Sequence, residues 1–259
     1  ETLIGADRLA EAEELAAALV AKVYSADAFE ARGRVRLFRG KTDEGLQDLR
    51  KAVAMAPREA RFRIYLAEGF EHAERYDEAM GVARAALALE PRSGRVMRLL
   101  ARLSRQRLEL EEAQRWLRAA IDLDVDDGDA WLSLASVQHI TGQLADAEAS
   151  AARAVALRPD DPRAWHTYAD ILQRNGKLAD AIFALEKAIA TSRAGDAQLP
   201  QRYRRLSGAY AWSTQYEPAI VAMRRYLALT PSDAADRGEM LEHLKELEAL
   251  YDEVVSERS

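Results

Sequence analysis

Apolar residues recur at spacings of three and four along most of the chain, which is the pattern of amphipathic helices. Residues 161–193 contain two such runs, separated by Asn175-Gly176. Asp161 and Pro162 begin the first run with a carboxylate that caps free N–H groups and a proline where no donor is needed. Gly176 ends it, because glycine adopts the left-handed backbone conformation without a Cβ clash. The segment therefore predicts two helices joined by a tight turn.

The same pattern returns every 34 residues. Ala79, Ala113, Ala147 and Ala181 mark this step, and small residues follow it at other phases. A fixed period of this length indicates a stack of two-helix units, each of which buries its apolar face against its neighbours. Small residues are expected where the helix axes approach closely. The other phases hold Gly33, Ala67, Ala101, Ala135 and Ala169, and Ala52, Ala86, Ala120, Ala154 and Ala188.

The unit resembles the tetratricopeptide repeat, whose pattern has an aromatic residue, a leucine beside a small residue, a second aromatic residue, a distal alanine and a closing proline. The best copy has Trp131, Leu134-Ala135, Gly142, Ala147, Ala154 and Pro159. The next copy has Trp165, Tyr168-Ala169, Gly176, Ala181 and Ala188. The resemblance implies an all-α fold, a right-handed superhelical α-solenoid of stacked αα-hairpins. It also implies that the first helix of each hairpin lines a concave surface.

Three segments are expected along the chain. Residues 1–25 are predicted to form an N-terminal partial repeat or capping helix, and residues 232–259 a C-terminal capping helix. Six hairpins are predicted over 26–231, at 26–59, 60–93, 94–127, 128–161, 162–199 and 200–231. The fifth hairpin carries a four-residue insertion near Ala194-Gly195, because the step from Ala181 to Ala219 is 38 residues. One helical turn has about four residues, so either the second helix or the loop is longer there.

Some positions depart from the repeat. Glu74, Leu108 and Thr214 replace the turn glycine, which predicts a different turn geometry at these places. Tyr226 replaces a small residue on which a seventh hairpin would pack, so another element is expected to cover it. The N-terminal helix is expected to bury Leu9, Ala12, Leu15, Ala16, Leu19 and Val23. The C-terminal helix is expected to have Met240, Leu241, Leu244, Leu247, Leu250, Tyr251 and Val254 on one face and acidic residues on the other.

The composition of the chain excludes several kinds of catalytic and metal-binding site. The 259 residues include no cysteine, which excludes disulfides, cysteine-zinc sites and thiol nucleophiles. The four histidines show no metal-binding spacing, and no phosphate loop or nucleophile elbow is present. Asp126-Asp127 and Asp160-Asp161 recur at the repeat period, which indicates helix caps rather than paired catalytic carboxylates. We therefore expect neither enzyme activity nor a cofactor or metal.

The candidate ligand-binding site is indicated by a group of arginines on one helix face. Arg95, Arg98, Arg102 and Arg105 share one stripe of a first helix. Guanidinium groups bind carboxylates in bidentate fashion, so the stripe suits an acidic peptide or a C-terminal carboxylate. The alternative is a solvated charged face, in which Glu68, Glu71 and Asp170 pair with some of the arginines. The candidate ligand-binding residues are Arg61, Arg95, Arg98, Arg102, Arg105, His139, Arg163, His166, Arg174, Arg204 and Trp212.

The favoured interpretation is a non-catalytic scaffold that binds an acidic or carboxylate-bearing protein segment. One alternative is the recognition arm of a larger bacterial enzyme or polysaccharide-secretion protein, since the chain does not begin with Met. Another is self-association, in which the acidic C-terminal helix of one copy binds the basic groove of another. A sequence pI of about 5.5 argues against nucleic acid, and no apolar run approaches a membrane span. Either the cytoplasm or the periplasm suits the composition.

Overall fold

The computed structural model of the protein describes residues 2–257 and consists, within them, of α-helices without strands. The all-α prediction is confirmed. Residues 1, 258 and 259 of the predicted terminal segments lie outside the described residues. The helices are α1 (Thr2–Lys22), α2 (Ala26–Phe38), α3 (Thr42–Met55), α4 (Ala60–His72), α5 (Tyr76–Leu89), α6 (Gly94–Gln106), α7 (Leu110–Leu123), α8 (Gly128–Ile140), α9 (Leu144–Leu157), α10 (Pro162–Arg174), α11 (Leu178–Ala190), α12 (Leu199–Trp212), α13 (Tyr216–Leu229) and α14 (Arg237–Glu257).

Consecutive helices from α2 to α13 pack as six pairs. The chain forms two compact units, Glu1–Val125 and Asp126–Ser259. The first unit contains α1 and the pairs α2–α3, α4–α5 and α6–α7. The second contains the pairs α8–α9, α10–α11 and α12–α13, followed by α14. Within each unit, the second helix of one pair packs on the first helix of the next, which places the first helices side by side.

Small residues lie where the paired helices touch. Ala79, Ala113 and their counterparts one repeat apart are fully buried. α2 and α3 approach each other closely: a Cβ on Gly33 would lie 2.9 Å from the carbonyl oxygen of Gly45, and a Cβ on Gly45 2.8 Å from that of Gly33. Any larger residue at either position forces the two backbones apart.

The prediction of a different geometry in the glycine-free turns is wrong. Glu74, Leu108 and Thr214 have φ values of 57°, 62° and 58°, in the same region as the 75° and 74° of Gly142 and Gly176. In each of these turns the following residue donates its N–H to the carbonyl five residues back, at 2.9 Å. The helix packing and these bonds fix the turn, and the side chain accepts a left-handed conformation that costs about 1–2 kcal/mol.

The four extra residues of the fifth hairpin lengthen a loop. α11 has 13 residues, and residues 191–198 connect it to α12. The preceding connection between α9 and α10 needs only residues 158–161. The loop is fastened by Arg202 of α12, whose Nη1 donates to Ser192 at 2.7 Å and to Asp196 at 2.5 Å.

The predicted buried face of α1 is right at Ala16 and wrong at three other positions. Leu15, Leu19 and Val23 are exposed, and the side chain of Leu15 is 66% accessible. Instead α1 buries Glu13 and Val20, together with Ala16. The reason is electrostatic: the carboxylate of Glu13 accepts hydrogen bonds from three cationic side chains of the neighbouring hairpin, and this contact sets the rotation of the helix. These donors are Arg36 at 3.3 Å, Arg39 at 2.5 Å and Lys41 at 3.0 Å.

The C-terminal helix α14 covers Tyr226, which the sequence predicted to be covered by an element other than a seventh hairpin. The ring of Tyr226 packs in an apolar cluster with Leu247 of α14 and is only 1% exposed. Its hydroxyl donates to Asp236 at 2.6 Å, and burial together with this carboxylate raises the pKa of the phenol. Only Leu247 of the predicted apolar face is fully buried, while Leu241 and Leu250 remain exposed.

Candidate interaction surfaces

The arginine stripe of α6 (Arg95, Arg98, Arg102 and Arg105) is partly neutralised within the first unit. Arg102 makes a bidentate pair with Glu71 of α4, at 2.6 and 2.7 Å. Arg95 binds Glu68 of the same helix at 3.3 Å, and its guanidinium lies 5.0 Å from the ring centre of Tyr65. The hydrogen bonds from Arg102 to Glu71 raise the pKa of this guanidinium. Two of the four predicted ligand-binding charges are therefore already occupied by carboxylates.

The other predicted arginines of the first unit differ in their surroundings. Arg98 and Arg105 are half-buried on the same stripe, and Arg105 makes no ion pair with a residue that the structure describes. Arg61 lies near the start of α4 and bonds to Asp27 and Glu59, both at 2.7 Å. Arg61 is thus held at the helix end and does not join the stripe.

A cleft of about 400 Å³ lies between α2 and α4. Its lining combines apolar residues with charges of both signs, so it carries no clear preference for an anion. The guanidinium of Arg34 stacks on Tyr65 at 4.9 Å and binds Glu30 at 3.0 Å, which leaves little of its charge for a ligand. The lining residues are Arg34, Leu37, Phe38, Tyr65, Glu68, Gly69, Glu71 and His72.

In the second unit, side chains of three successive first helices meet in a histidine–arginine cluster, composed of His139, His166, Asp170, Arg174 and Arg205. Nη1 of Arg174 in α10 lies 3.4 Å from Nε2 of His139 in α8. Asp170, one turn before Arg174, forms an ion pair with Arg205 of α12 and lies 3.8 Å from His166. The cluster therefore contains two guanidinium groups, two imidazoles and one carboxylate.

The cluster creates a positive local field. Burial is the largest cause that lowers the pKa of His139, and the charge of Arg174 lowers it further. Burial also lowers the pKa of His166; the charge of Asp170 opposes this shift, and the smaller effects of Arg205 and Arg202 add to it. Nδ1 of His166 is buried and has no hydrogen-bond partner among the described residues. The guanidinium of Arg174 therefore supplies the positive charge for an anionic ligand, and the two imidazoles offer N–H groups beside it.

The remaining predicted residues lie apart from the cluster. Arg163 is at the start of α10 and pairs with Asp161 at 2.8 Å, next to the helix end that this carboxylate caps. Arg204 points from α12 to Asp236, at 3.2 Å. Trp212 is the last residue of α12 and is 79% exposed. Of the predicted residues, the structure brings together only His139, His166 and Arg174 in this unit.

Sequence reasoning did not select Arg205 as a site residue. It pairs with Asp170, which was expected to pair with an arginine, across a separation of 35 residues. The pairs of the first unit have similar separations, of 27 residues for Arg95 with Glu68 and 31 for Arg102 with Glu71. An acidic residue in one first helix and an arginine roughly one repeat later is thus the signal that identifies such pairs.

Neither a metal site nor a membrane-spanning helix is found in the part of the chain that the structure describes. Among the side chains that the structure describes, no group of three or more acidic or histidine residues is arranged to hold a metal ion. Among the described helices, none has both the length and the apolar character needed to cross a membrane.

Comparison with known proteins agrees with the fold. Protein-family models of the tetratricopeptide repeat match residues 30–95, 70–137, 128–171 and 162–194. No curated protein sequence matches the chain. Among solved structures, the chain is similar to the APC/C hetero-tetramer Cut9-Hcn1, with a TM-score of 0.71 and 17% identity over 92% of this chain. It spans only 46% of that longer chain.

Two other structures are similar over most of their own length. PilF of Pseudomonas aeruginosa has a TM-score of 0.68 and 20% identity, over 84% of this chain and 97% of its own. YrrB, a tetratricopeptide protein with an unusual peptide-binding site, has a TM-score of 0.57 and 18% identity, over 76% of this chain and 97% of its own. At these identities the likeness concerns the fold. The family matches and the stacked hairpins together support a protein-interaction scaffold, and the chain belongs to the tetratricopeptide repeat family.

Proposed function

We propose that this chain is a non-catalytic scaffold that binds an acidic or carboxylate-bearing protein segment through the histidine–arginine cluster of its second unit. The observation that carries the proposal is the meeting of Arg174 with His139, while the cluster's single carboxylate, Asp170, is engaged by Arg205. Arg174 makes no ion pair with a carboxylate in the described chain. Its N–H groups are therefore available to a ligand carboxylate, and a charge-assisted bond of this kind contributes about 1.5–3 kcal/mol.

The arrangement of the helices supports a peptide rather than a small molecule as the ligand. The cluster extends across α8, α10 and α12, since Arg174 of α10 reaches His139 of α8 and Asp170 of α10 pairs with Arg205 of α12. A ligand that contacts all three spans more than one interhelical distance of about 8–10 Å, which an extended peptide of several residues does easily. Exposed aromatic area is close in sequence to this face, since Trp212 ends α12.

The experiment that tests the proposal measures the affinity of a fluorescein-labelled hexaglutamate peptide by fluorescence anisotropy. The double variant Arg174→Gln/Arg205→Gln should bind at least about tenfold more weakly than the wild type, because it loses the available donors of Arg174 and leaves Asp170 as an unpaired negative charge beside the ligand. A matched control is Arg163→Gln/Arg224→Gln, which changes the net charge of the same unit equally. Arg163 and Arg224 are already paired, with Asp161 and Glu248 at 2.8 and 2.7 Å.

The control separates a specific site from a general effect of net charge. The proposal requires the control variant to bind like the wild type, within about twofold. Equal losses in the two double variants would show that only net charge matters. Failure of the wild type to bind hexaglutamate, while a hexalysine peptide of the same length binds, would reverse the assigned charge preference.

Self-association is the second candidate, because α14 supplies an acidic surface on the chain itself. Glu239, Asp252 and Glu253 are exposed on this helix. Deleting α14 is a poor test, since it uncovers the buried ring of Tyr226. Instead, Glu239→Lys/Asp252→Lys/Glu253→Lys should convert a salt-sensitive oligomer to monomer in sedimentation velocity. A wild type that is monomeric at all accessible concentrations would exclude this candidate and leave the first one standing.

A further inference from the structure

Arg202 occupies a position at which every other hairpin buries an apolar side chain. It lies in the first turn of α12, and only 2% of it is exposed. Its charge is therefore unusual for the repeat, because removing a guanidinium from water is costly unless its donors are satisfied. The equivalent residues of the five preceding hairpins are Ala28, Phe62, Val96, Ala130 and Ala164, all of them buried.

The donors of Arg202 are only partly satisfied. Nη1 bonds to Ser192 and Asp196 of the long loop 191–198. Nε is buried and has no hydrogen-bond partner, and Nη2 donates to no residue that the structure describes. A guanidinium has five N–H donors, so most of the capacity of Arg202 is unused. The positive charge of Arg202 also acts on His166. Burial is the main cause that lowers the pKa of this histidine, and Arg202 contributes a smaller lowering.

Arg202 lines a cleft of about 850 Å³ at the ends of four helices of the second unit. One wall is the connection 158–161 between α9 and α10, and the other is the loop 191–198. The volume is in the usual range for small-ligand sites. α10 and α12 both begin at this cleft, so the positive ends of two helix dipoles lie close to it. None of the lining residues belongs to the histidine–arginine cluster.

The charged groups of the lining leave two arginines for a ligand. Arg158 and Arg163 are both tied to Asp161, which they contact at 3.5 and 2.8 Å. Arg193 is exposed on the long loop and makes no ion pair within the described part of the chain. Arg202 shares one of its nitrogens with Asp196 and keeps the others. Asp160 also lines the cleft and provides an opposing negative charge.

We propose that this cleft binds an oxyanion, a phosphate or a carboxylate group, through the unused N–H donors of Arg202, with Arg193 at the entrance. The planar fork of a guanidinium matches two oxygens of either group. The loop 191–198 then has two roles. It forms one wall of the site, and its Asp196 neutralises the charge of Arg202 in the unliganded protein. The site goes beyond the proposed peptide-binding function and uses different residues.

The test is a titration of the wild type and of Arg202→Ala with inorganic phosphate and, separately, with acetate. The variant restores the alanine found in three other hairpins, so it should fold, which circular dichroism verifies. In the wild type, at least one of the two anions should shift the backbone NMR signals of Gly195 and Gln198 in a saturable way. Arg202→Ala should weaken that binding at least about tenfold, and Arg224→Ala, which lies outside the cleft, should not.

A second variant distinguishes a ligand site from a structural anchor. Asp196→Asn keeps an acceptor for the N–H of Gln198, which Asp196 binds at 2.9 Å, and removes the negative charge that competes with the anion. It should bind the anion about threefold more tightly or better. Binding of phosphate alone identifies a phosphate-bearing ligand, and binding of acetate a carboxylate-bearing one. Binding of neither anion, or equal binding by Arg202→Ala, would overturn the proposal.

Discussion

The first helices of the two units both carry arginines, but their partners differ. In the first unit, Arg95 and Arg102 are paired with glutamates of the preceding first helix. In the second unit Arg205 also has an acidic partner, Asp170, but the same relation joins Arg174 to His139, a side chain without negative charge. The comparison shows that the number of arginines on a helix does not determine the charge of the surface. The residue that the neighbouring helix presents about one repeat earlier determines it.

The first unit also uses its charges for internal structure. Asp48 of α3 is 1% exposed and is held by Arg32 and Arg36, each at 2.8 Å. Arg36 bonds in addition to Glu13, so a chain of charged groups connects α1, α2 and α3. Burial would raise the pKa of Glu13, but the charges and hydrogen bonds of Lys41, Arg39 and Arg36 together lower it, so this carboxylate stays ionised near neutral pH. Charges that are engaged in this way stabilise the fold and are not available to a ligand.

The largest expected effect is therefore on stability. Asp48→Ala leaves two largely buried guanidinium groups without this carboxylate and should lower the free energy of unfolding by about 3–5 kcal/mol. Urea denaturation followed by circular dichroism measures the change. Glu44→Ala is the matched control on the same helix, because Glu44 is exposed and contacts Arg36 at 3.4 Å. Its effect should stay below about 1 kcal/mol, and similar losses in both variants would contradict the structural role of Asp48.

A smaller effect is expected when the first unit is made to resemble the second. Glu68→Gln/Glu71→Gln frees Arg95 and Arg102 and should strengthen hexaglutamate binding by about three- to tenfold, because each freed pair adds up to about 1 kcal/mol. Glu74→Gln/Glu78→Gln changes the net charge equally and leaves these pairs intact. An equal gain in the control would mean that the neighbouring glutamates do not limit the stripe.

The smallest effect is a pH dependence that only the second unit should show. Burial lowers the pKa of His139 and His166 below 6.5, so both are neutral in the free protein above that pH. A bound carboxylate favours the protonated form and raises these pKa values. The complex then binds more protons than the free protein, so the affinity for the peptide should rise as the pH falls from 7.5 to 5.5. We expect a rise of about threefold, which corresponds to a pKa increase of less than one unit on binding. The variant His139→Gln/His166→Gln should remove this dependence.

The same lowered pKa values predict that the stability of the folded protein changes with pH in the opposite direction to the peptide affinity. Because both histidines bind protons less readily in the folded state, the free energy of unfolding should fall as the pH drops below 6.5. Thermal unfolding of the wild type beside His139→Gln/His166→Gln measures this difference. A wild type whose stability does not change relative to the variant between pH 7 and pH 5 would contradict the lowered pKa values.

The helical stack could be predicted because the repeat period constrains many residues at once. The small residues that recur every 34 residues and the apolar residues spaced three and four apart all indicate the same two-helix unit. The rotation of α1 could not be predicted, because it depends on Glu13 meeting three cations of the next hairpin. The turn at Leu108 was predicted wrongly, since local propensity is overridden where hydrogen bonds and packing already fix the backbone.

The site was harder to predict than the fold. The sequence shows which residues share a helix face, so Arg174 and His166 were correctly placed in first helices. It does not show which side chains of adjacent helices reach each other, and this decides whether an arginine is paired. Arg202 was detectable, because a charged residue in a phase that otherwise holds buried apolar residues stands out once the repeats are aligned.

The most direct test of the account compares one arginine from each unit. Arg102→Gln and Arg174→Gln change the net charge equally, and hexaglutamate affinity is measured for both by fluorescence anisotropy. We expect at least about tenfold weaker binding for Arg174→Gln and a change within about twofold for Arg102→Gln, whose guanidinium is occupied by Glu71. A loss for Arg102→Gln that equals or exceeds the loss for Arg174→Gln would contradict it.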